Sequence, residues 1–276
     1  MNIDAHQHFW SYSAAEYDWI NDEMAVLQRD FLPQDLEPLL RANGIGGSIA
    51  VQARQSLEET RWLLELARQN NFIRGVVGWV DLRSQDLSAQ LDALADEDKL
   101  VGVRHVVQGE PDDEFMLRPE FRRGIARLKE YGLMYDLLLY PKHLPVAAKL
   151  VGEFPQQGFV LDHIAKPLIA DGVLEPWASD IRALARFDNV TCKLSGMVTE
   201  ARWRRWKPLD FRPYLDVVLE AFGPGRLMIG SDWPVCTVSA DYGTTLSLVQ
   251  DFIATLSADE GAAILSGTCT RAYRLD

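Results

Sequence analysis

Two histidines lie one residue apart near the start of the chain, in the stretch MNIDAHQHFW. The stretch reads as a β-strand, and successive side chains of a strand point to opposite faces. We therefore expect Asp4, His6 and His8 to share one face, opposite Ile3 and Ala5. Two imidazoles aimed in one direction can bind a metal ion or polarise a carbonyl group, but a His-x-His pair also occurs without any ligand.

A third histidine and an aspartate, both possible metal ligands or acid–base groups, follow later apolar runs. His163 stands in VLDHIAKP and Asp232 in IGSDWP. If the runs are parallel strands, these side chains converge with the first-strand histidines at the carboxyl ends. Such a cluster could hold a zinc-like ion with a water molecule. It could equally act directly as acid, base and carbonyl polariser.

Short apolar runs alternate with helical patterns along the whole chain, which is typical of βαβ units and a parallel sheet. Eight runs are predicted to be strands: NIDAHQH (2–8), SIAVQA (48–53), FIRGVVGWV (72–80), LVGVRHVV (100–107), LMYDLLLY (133–140), FVLDHIA (159–165), VTCKLSG (190–196) and RLMIGSD (226–232). Most are almost continuously apolar, as expected for strands that helices cover on both faces.

Eight such units can close into a (β/α)8 barrel or form an open, doubly wound sheet. An open sheet usually has a glycine-rich turn after its first strand, whereas here the first strand runs into HQHFW. Polar residues at several strand ends favour the barrel, and the 276 residues exceed the roughly 250 that a barrel needs. With no linker or internal repeat, we predict a single TIM-barrel domain over residues 1–276.

Composition limits the partners and the compartment. The net charge of −12 argues against nucleic acid and anionic membranes as partners. Cys192, Cys236 and Cys269 lack metal-site or disulfide spacing, and the amino terminus has no basic leader before an apolar run. We therefore expect a soluble cytoplasmic protein, which could form a homo-oligomer.

Several polar side chains on or just beyond the strands are candidates for binding a substrate. They are Gln52, Arg54, Arg104, His105, Asp136, Tyr140, His143, Lys166, Lys193 and Trp233. We expect some of them to fill the barrel or form salt bridges instead. Arg104 and Tyr140 stand on the strands that point most directly at the mouth.

Two stretches outside the strands are rich in aromatic residues. The long connection at 9–31 contains Trp10, Tyr12, Tyr17 and Trp19, which could form a wall against a sugar or simply fold the loop onto the barrel. The segment MVTEARWRRWKPLD at 197–210 interleaves aromatic and basic residues. In an acidic protein, we expect it to cap the barrel or contact a second subunit rather than bind nucleic acid.

As a set, the motifs IDAHQHFW, LDHIAKP, CKLSGM and GSDWP resemble the amidohydrolase superfamily of (β/α)8 barrels. Within it they are similar to the branch that contains sugar lactonases and pyrone-dicarboxylate lactonases, which can work without metal. The motifs lie at both ends and in the middle of the chain. The resemblance implies that His6, His8 and His163 polarise a carbonyl group or bind a metal, and that Asp232 activates water.

The chain also departs from the superfamily pattern. The fourth strand offers Arg104 and His105 where many members have a bridging lysine or glutamate, and the fifth has Asp136 in place of a metal-binding histidine. We therefore expect at most one divalent, zinc-like ion, with His6, His8 and Asp232 as its ligands. Since the similar branch can work without metal, binding of the ion does not imply that activity requires it.

The resemblance implies hydrolysis of a sugar lactone to its aldonic acid, with L-fuconolactone or L-rhamnonolactone as the expected type of substrate. Three alternatives remain open. A pyrone-dicarboxylate lactonase would need several converging arginines to bind two carboxylates. A metal-dependent decarboxylase would lose all activity on chelation. A barrel that only binds a ligand would need neither the histidines nor Asp232.

Overall fold

The computed structural model describes residues 1–275 and contains one eight-stranded parallel sheet, with the strands in sequence order. The strands are β1 (Asn2–Gln7), β2 (Ile45–Val51), β3 (Ile73–Gly78), β4 (Leu100–His105), β5 (Met134–Leu137), β6 (Phe159–Leu161), β7 (Val190–Leu194) and β8 (Leu227–Ile229). The first and last strands meet where the His8 amide donates to the Trp233 carbonyl (2.6 Å) and the Asp232 amide donates to the His6 carbonyl (2.8 Å). The predicted (β/α)8 barrel and its eight strands are confirmed.

The α-helices follow the strands along the chain, and most of them cover the outside of the barrel. They are α1 (Pro33–Ala42), α2 (Leu57–Gln69), α3 (Leu87–Asp92), α4 (Pro119–Leu128), α5 (Leu144–Glu153), α6 (Trp177–Leu184), α7 (Met197–Glu200), α8 (Pro208–Phe222), α9 (Tyr242–Ile253), α10 (Ala258–Ala262) and α11 (Thr268–Ala272). A π-helical turn at Ala263–Gly267 joins the last two. Among residues 1–275, none of these helices combines the length and apolar character that crossing a membrane requires.

The prediction that Asp4 shares a face with His6 and His8 is wrong. Asp4 pairs with Ser48 and Gln7 with Ala50, so β1 has one residue more than β2 over this interval. A bulge of this kind re-aims the side chains that follow it. Asp4 therefore points outward, while both histidines point into the barrel.

The interior of the barrel is layered. Its lower layer, toward the amino ends of the strands, is apolar and contains Ile3, Ala5, Ile49, Val51, Val77, Val101, Val160 and Met228. Cys269 and Tyr273, in and just after α11, pack against this layer and close that end. The Tyr273 hydroxyl donates to Asp136 Oδ2 (2.7 Å), which begins a layer of buried charges above. The charged layer separates the apolar core from the carboxyl ends of the strands.

The long connection after β1 folds back onto the barrel. Trp10 is fully buried, and its backbone exchanges hydrogen bonds with Phe31 at the far end of the connection (3.0 and 2.9 Å). The Trp10 indole donates to the carbonyls of Leu27 and Arg29. The connection is therefore a packed structure that borders the carboxyl end of β1.

Candidate active site

Four side chains from three parts of the barrel meet at the carboxyl ends of the strands. Asp232 Oδ1 lies 3.8 Å from His6 Nε2, 3.4 Å from His8 Nε2 and 3.8 Å from His163 Nε2. The Nε2 atoms of His6 and His8 are 3.2 Å apart. All four residues are at least 95% buried. The convergence expected from the sequence is therefore present.

The hydrogen bonds at the far sides of the first two imidazoles define their tautomers. His8 Nδ1 lies 2.7 Å from the Val51 carbonyl, which can only accept, so this nitrogen carries the proton. His6 Nδ1 lies 3.3 Å from Asp162 Oδ1, and Arg104 Nη1 donates to His6 Nε2 (3.3 Å). His8 therefore presents the lone pair of Nε2 to the centre, as metal ligands do, and His6 does the same when its Nδ1 proton is directed at Asp162 rather than its Nδ1 lone pair at Lys193 (3.3 Å).

The three atoms His6 Nε2, His8 Nε2 and Asp232 Oδ1 fit a single small cation. Tetrahedral zinc ligands at about 2.0–2.1 Å from the ion lie about 3.3–3.4 Å from one another. The distances here are 3.2, 3.4 and 3.8 Å. A second group of possible ligand atoms, from His6, Asp162 and His163, shares a histidine with the first. The Arg104 guanidinium already donates to one of the three atoms, so a cation would compete with it.

The electrostatics keep the Asp232 carboxylate charged and the imidazoles of His6 and His163 neutral. Burial would raise the pKa of Asp232, but the attraction of the nearby imidazoles of His163 and His8 outweighs it and holds the pKa below its usual value. Burial lowers the pKa of His163 to about 4, against the attraction of Asp232. It also holds the pKa of His6 well below 6.5. Near neutral pH, the site offers a carboxylate base beside the neutral imidazoles of His6 and His163.

Strained backbone positions His163. Four successive residues from His163 to Lys166 have positive φ angles of 55°, 49°, 59° and 50°, although none is a glycine. The left-handed conformation costs roughly 1–2 kcal/mol for each such residue. The Trp177 indole donates to the Ile164 carbonyl (2.7 Å) and holds the turn. Strain of this kind clusters at functional sites, where surrounding contacts maintain it.

Asp232 also has a left-handed backbone (φ 58°), and Asp4 holds the segment before it. Asp4 accepts hydrogen bonds from the Ser231 amide (2.8 Å), the Ser231 hydroxyl (2.6 Å) and the Tyr242 hydroxyl (3.1 Å). Burial raises the pKa of Asp4 to about 6, against these hydrogen bonds. The outward-facing first-strand aspartate thus positions the aspartate of the site.

A layer of buried charges lies beneath the histidines. Lys193 Nζ contacts Asp136 Oδ2 (2.5 Å), Asp162 Oδ1 (2.9 Å) and His6 Nδ1 (3.3 Å). Arg104 Nη1 contacts Asp162 Oδ2 (2.9 Å). Two cations and two carboxylates are thus removed from water together, which is stabilising only while every partner is present.

The pKa values of this layer show how closely its charges depend on one another. Burial raises the pKa of Asp136 to about 6, against the attraction of Lys193. Burial would also raise the pKa of Asp162, but Lys193 and His6 hold it well below its usual range. Burial opposes the charge of Lys193, yet the two carboxylates raise its pKa. The ion pairs therefore stay charged without solvent.

The predicted substrate-binding residues divide between the mouth and this layer. Arg104, Gln52, Asp136 and Lys193 are buried and bond to one another or to neighbours in the layer. Tyr140 is 39% exposed, and Lys166 Nζ lies 5.8 Å from the centre of its ring. Tyr140 and Lys166 remain candidates for direct contact with a substrate, whereas the bonds of the buried four place them as supports of the histidines.

Two other predicted residues, His105 and His143, lie away from the cluster. His105 stacks on Phe115 outside the strands, and its Nε2 lies 2.7 Å from Glu110 Oε1. Because β4 alternates faces, Arg104 points inward and His105 must point outward. His143 is buried behind Tyr140 and accepts the Tyr140 amide at Nδ1 (3.1 Å), so it is a support for Tyr140.

The predicted aromatic residues also take different places. Trp233 packs against Phe9 and Phe31 and is 2% exposed, so it belongs to the core. The ring of Trp10 lies 6.5 Å from that of His8 and 5.8 Å from that of the exposed Trp19. The connection after β1 thus brings a row of rings to the edge of the site.

Arg54 is bound to the same connection. Its Nη2 lies 3.0 Å from Glu16 Oε1, and its guanidinium stands 5.7 Å from the centre of the Tyr17 ring. Glu59 accepts the backbone amides of Ala53 (2.9 Å) and Arg54 (2.7 Å). These contacts tie Arg54 to the loop and leave its charge paired.

Sequence reasoning missed three residues that shape the site. Asp162 fixes His6, and the Ser195 hydroxyl lies 2.9 Å from His163 Nδ1. Glu200, at the end of α7, lies 3.9 Å from Lys166 Nζ. Asp162 stands beside His163 in the quoted motif, but strict alternation would put it on the opposite face. β6 ends at Leu161, so both side chains can turn toward the interior.

Comparison with known proteins gives matches over the whole chain. The sequence profile of the family described as "Amidohydrolase" matches residues 3–275. A protein of Burkholderia multivorans named L-fucono-1,5-lactonase is 45% identical, over 100% of this chain and 96% of its own length. A protein of Burkholderia ambifaria with the same name is 38% identical, with the same coverage of both chains.

A solved structure resembles this chain in fold and in sequence. It is an amidohydrolase from Burkholderia multivorans with bound zinc, 45% identical to this chain. The TM-score is 0.95, and the match covers 100% of both chains.

Proposed function

The chain belongs to the amidohydrolase family, and from this premise we propose that it hydrolyses L-fucono-1,5-lactone, or a similar deoxy-L-aldonolactone, to the aldonic acid. The names of the two Burkholderia relatives support this class of substrate. The observation that carries the proposal is the position of Asp232, whose Oδ1 lies 3.4–3.8 Å from three imidazole nitrogens. An ionised carboxylate held in this way can serve as a general base for attack on an ester.

In the proposed reaction, Asp232 removes a proton from water as the oxygen attacks the lactone carbonyl. The C–O bond of the ring then breaks, and Asp232 returns the proton to the leaving ring oxygen. One water is consumed and one carboxylic acid and one hydroxyl are formed. A lactone is an activated ester, so a positioned base and a few hydrogen-bond donors can supply the required stabilisation.

The negative charge on the carbonyl oxygen needs donors, and His163 can provide one. In the proposal, the Ser195 hydroxyl donates to His163 Nδ1 (2.9 Å), so Nε2 carries the ring proton and faces the centre. His6 and His8 have the opposite tautomer and cannot donate from Nε2 while neutral. We therefore assign carbonyl polarisation to His163, and the role of metal ligands to His6 and His8.

A zinc ion fits the three atoms His6 Nε2, His8 Nε2 and Asp232 Oδ1. His6, His8 and Asp232 would hold it, and a bound zinc ion acts as a Lewis acid on a carbonyl oxygen and lowers the pKa of water. Val51 and Asp162 fix the far sides of the two imidazoles, as hydrogen-bond partners of metal-binding histidines usually do.

The metal assignment predicts one zinc ion per chain. Zinc titrated into chelator-treated protein and followed by calorimetry should bind with a stoichiometry of one, and His8→Ala should weaken binding by more than about 100-fold. His105→Ala is the matched control, because His105 bonds to Glu110 outside the barrel and should leave the affinity unchanged. Two ions per chain, or equal losses in both variants, would contradict the assignment.

A second prediction concerns Gly196, because a side chain at this position would displace His163. A Cβ atom at Gly196 would lie 2.4 Å from His163 Nδ1, and the backbone has φ +62°. Gly196→Ala should therefore displace the imidazole and lower kcat/KM for the lactone by at least about tenfold, since small misplacements at a reacting centre are costly.

Gly172→Ala provides the control for this prediction. Gly172 has φ +67°, but a Cβ atom there would meet nothing within 4 Å. The control should lose about 1 kcal/mol of stability from the left-handed backbone and keep its activity. Full activity in Gly196→Ala would show that the contact with His163 is not needed.

The positions of the arginines disfavour the alternative of a pyrone dicarboxylate as substrate. Two carboxylates would need converging guanidinium groups. Arg104 is bound to Asp162 and Gln52, and Arg54 is bound to Glu16. The two strand-end arginines that the sequence offered are therefore already paired.

An indicator assay tests the proposal. Proton release should be measured with L-fucono-, L-rhamnono-, L-galactono- and D-arabinono-lactone and with 2-pyrone-4,6-dicarboxylate, each with and without chelator. We expect turnover of a deoxy-L-sugar lactone well above the spontaneous rate. Turnover of the pyrone alone, or decarboxylation of an aromatic acid that chelation abolishes, would replace the proposal with one of its alternatives.

A further inference from the structure

Glu200 lies beside the proposed active site but has no part in the chemistry described above. It is the last residue of α7, whose amino end adjoins His163 through Gly196. Its side chain is 21% exposed. Burial raises the pKa of both Glu200 and Tyr140. The negative charge of Asp232 raises the pKa of Glu200 further, and the negative charge of Glu200 does the same for Tyr140. Glu200 therefore belongs to the wall of the mouth, on the side of strands β5–β7.

The carboxylate of Glu200 has weak protein partners for so sheltered a group. Oε1 lies 3.9 Å from Lys166 Nζ and 3.4 Å from Thr199 Oγ1. The Thr199 hydroxyl makes its short contact elsewhere, with the Gly196 carbonyl (2.7 Å). A carboxylate has about four acceptor sites, and burying it without donors is unfavourable. Burial raises the pKa of Glu200, and Lys166 only partly opposes this.

Lys166 and Tyr140 complete a polar face around this carboxylate. The Lys166 ammonium lies near both groups, at 3.9 Å from Glu200 Oε1 and 5.8 Å from the centre of the Tyr140 ring. Tyr140 is 39% exposed, with a ring and a hydroxyl that a sugar can contact. Donor, acceptor and ring thus stand together, which matches the hydroxyl groups and C–H faces of a sugar.

We propose that Glu200 determines substrate selectivity, because its carboxylate accepts hydrogen bonds from ring hydroxyls of the lactone and repels substrates that carry a further carboxylate. This inference rests on the proposed lactone hydrolysis. The hydroxyl groups of the lactone would donate to the Glu200 carboxylate, which has only long contacts with Lys166 and Thr199. A carboxylate on the substrate would be repelled by the negative charges of Glu200 and Asp232. Selectivity often depends on such a repulsive element.

The test compares Glu200→Gln with the wild type on a neutral and an anionic ligand. For L-fucono-1,5-lactone, we expect KM to rise about tenfold with kcat within about threefold, since the ring hydroxyl would bond to a neutral amide instead of a charged carboxylate in both ground and transition states. For 2-pyrone-4,6-dicarboxylate, we expect calorimetry to show binding about tenfold tighter than in the wild type, because the repulsion is removed.

Glu220→Gln is the matched control. Glu220 lies on α8, is 66% exposed and pairs with Arg182, so its replacement should change neither value. Unchanged KM and unchanged dicarboxylate affinity in Glu200→Gln would overturn the inference. A fall in kcat at constant KM would also overturn it, because Glu200 would then act in the chemical step.

The kinetic measurement on the lactone and the calorimetric measurement on the dicarboxylate separate this inference from the proposed function. If the wild type hydrolyses no neutral lactone, the proposed function fails. The calorimetric arm does not depend on turnover, so it still measures whether Glu200 repels a dicarboxylate.

Discussion

Replacing Asp232 by asparagine is expected to lower kcat/KM for L-fucono-1,5-lactone by about 10²–10⁴-fold, the usual contribution of a general base. Asparagine keeps the shape of the side chain and tolerates the left-handed backbone at this position (φ 58°). It cannot accept the proton of the attacking water. The loss should therefore appear without a comparable loss of thermal stability.

Asp216→Asn is the control for this prediction. Asp216 lies on α8, pairs with Arg212 and is 52% exposed. Its replacement should leave kcat/KM within about twofold and stability within about 0.5 kcal/mol. A rate within a few fold of wild type in Asp232→Asn would show that another group activates the water.

Lys193→Met is expected to have the largest effect on stability, a loss of about 3–5 kcal/mol in the free energy of unfolding. Methionine fills similar space but leaves Asp136 and Asp162 buried without their shared cation, which now lies 2.5 and 2.9 Å from them. Urea unfolding followed by tryptophan fluorescence measures the loss. The double variant Lys193→Met/Asp136→Asn should recover part of it, because one of the uncompensated charges is gone.

Lys149→Met, on the exposed side of α5, serves as the control and should change the free energy of unfolding by less than about 0.5 kcal/mol. A similarly small change in Lys193→Met would show that the two carboxylates take up protons at little cost. The double variant would then gain nothing over the single one.

The barrel could be predicted because its strands leave a strong pattern. Each apolar run is bounded by helical segments and overlaps one observed strand; seven runs contain their strand whole, whereas β2 begins at Ile45, before the predicted start at Ser48. The observed strands are shorter at their carboxyl ends than the predicted ones. There the chain turns into site-forming loops, as at Asp162–Ala165, whose residues follow no strand period.

The cluster of His6, His8, His163 and Asp232 could also be predicted, because all four lie at or just beyond the carboxyl ends of strands that meet at one end of the barrel. The direction of Asp4 could not, since the bulge in β1 depends on pairing with β2. The outward position of His105 could have been read from alternation with Arg104. The inward position of Asp162 could not, because it depends on where β6 ends.

The supporting residues were the hardest to predict. Lys193 and Asp136 are separated by 57 positions and pair only because β5 and β7 face one interior. Each looks like a possible substrate contact when read alone. Glu200 stands in a segment whose aromatic and basic residues draw more attention, and only its place beside Lys166 marks it.

The most direct test is proton release from L-fucono-1,5-lactone, followed with a pH indicator for the wild type and Asp232→Asn in parallel, after subtraction of spontaneous hydrolysis. Rapid turnover by the wild type and a loss of at least about 100-fold in the variant would support both the substrate class and the role of Asp232. A wild-type rate equal to the spontaneous one would contradict lactone hydrolysis at this site.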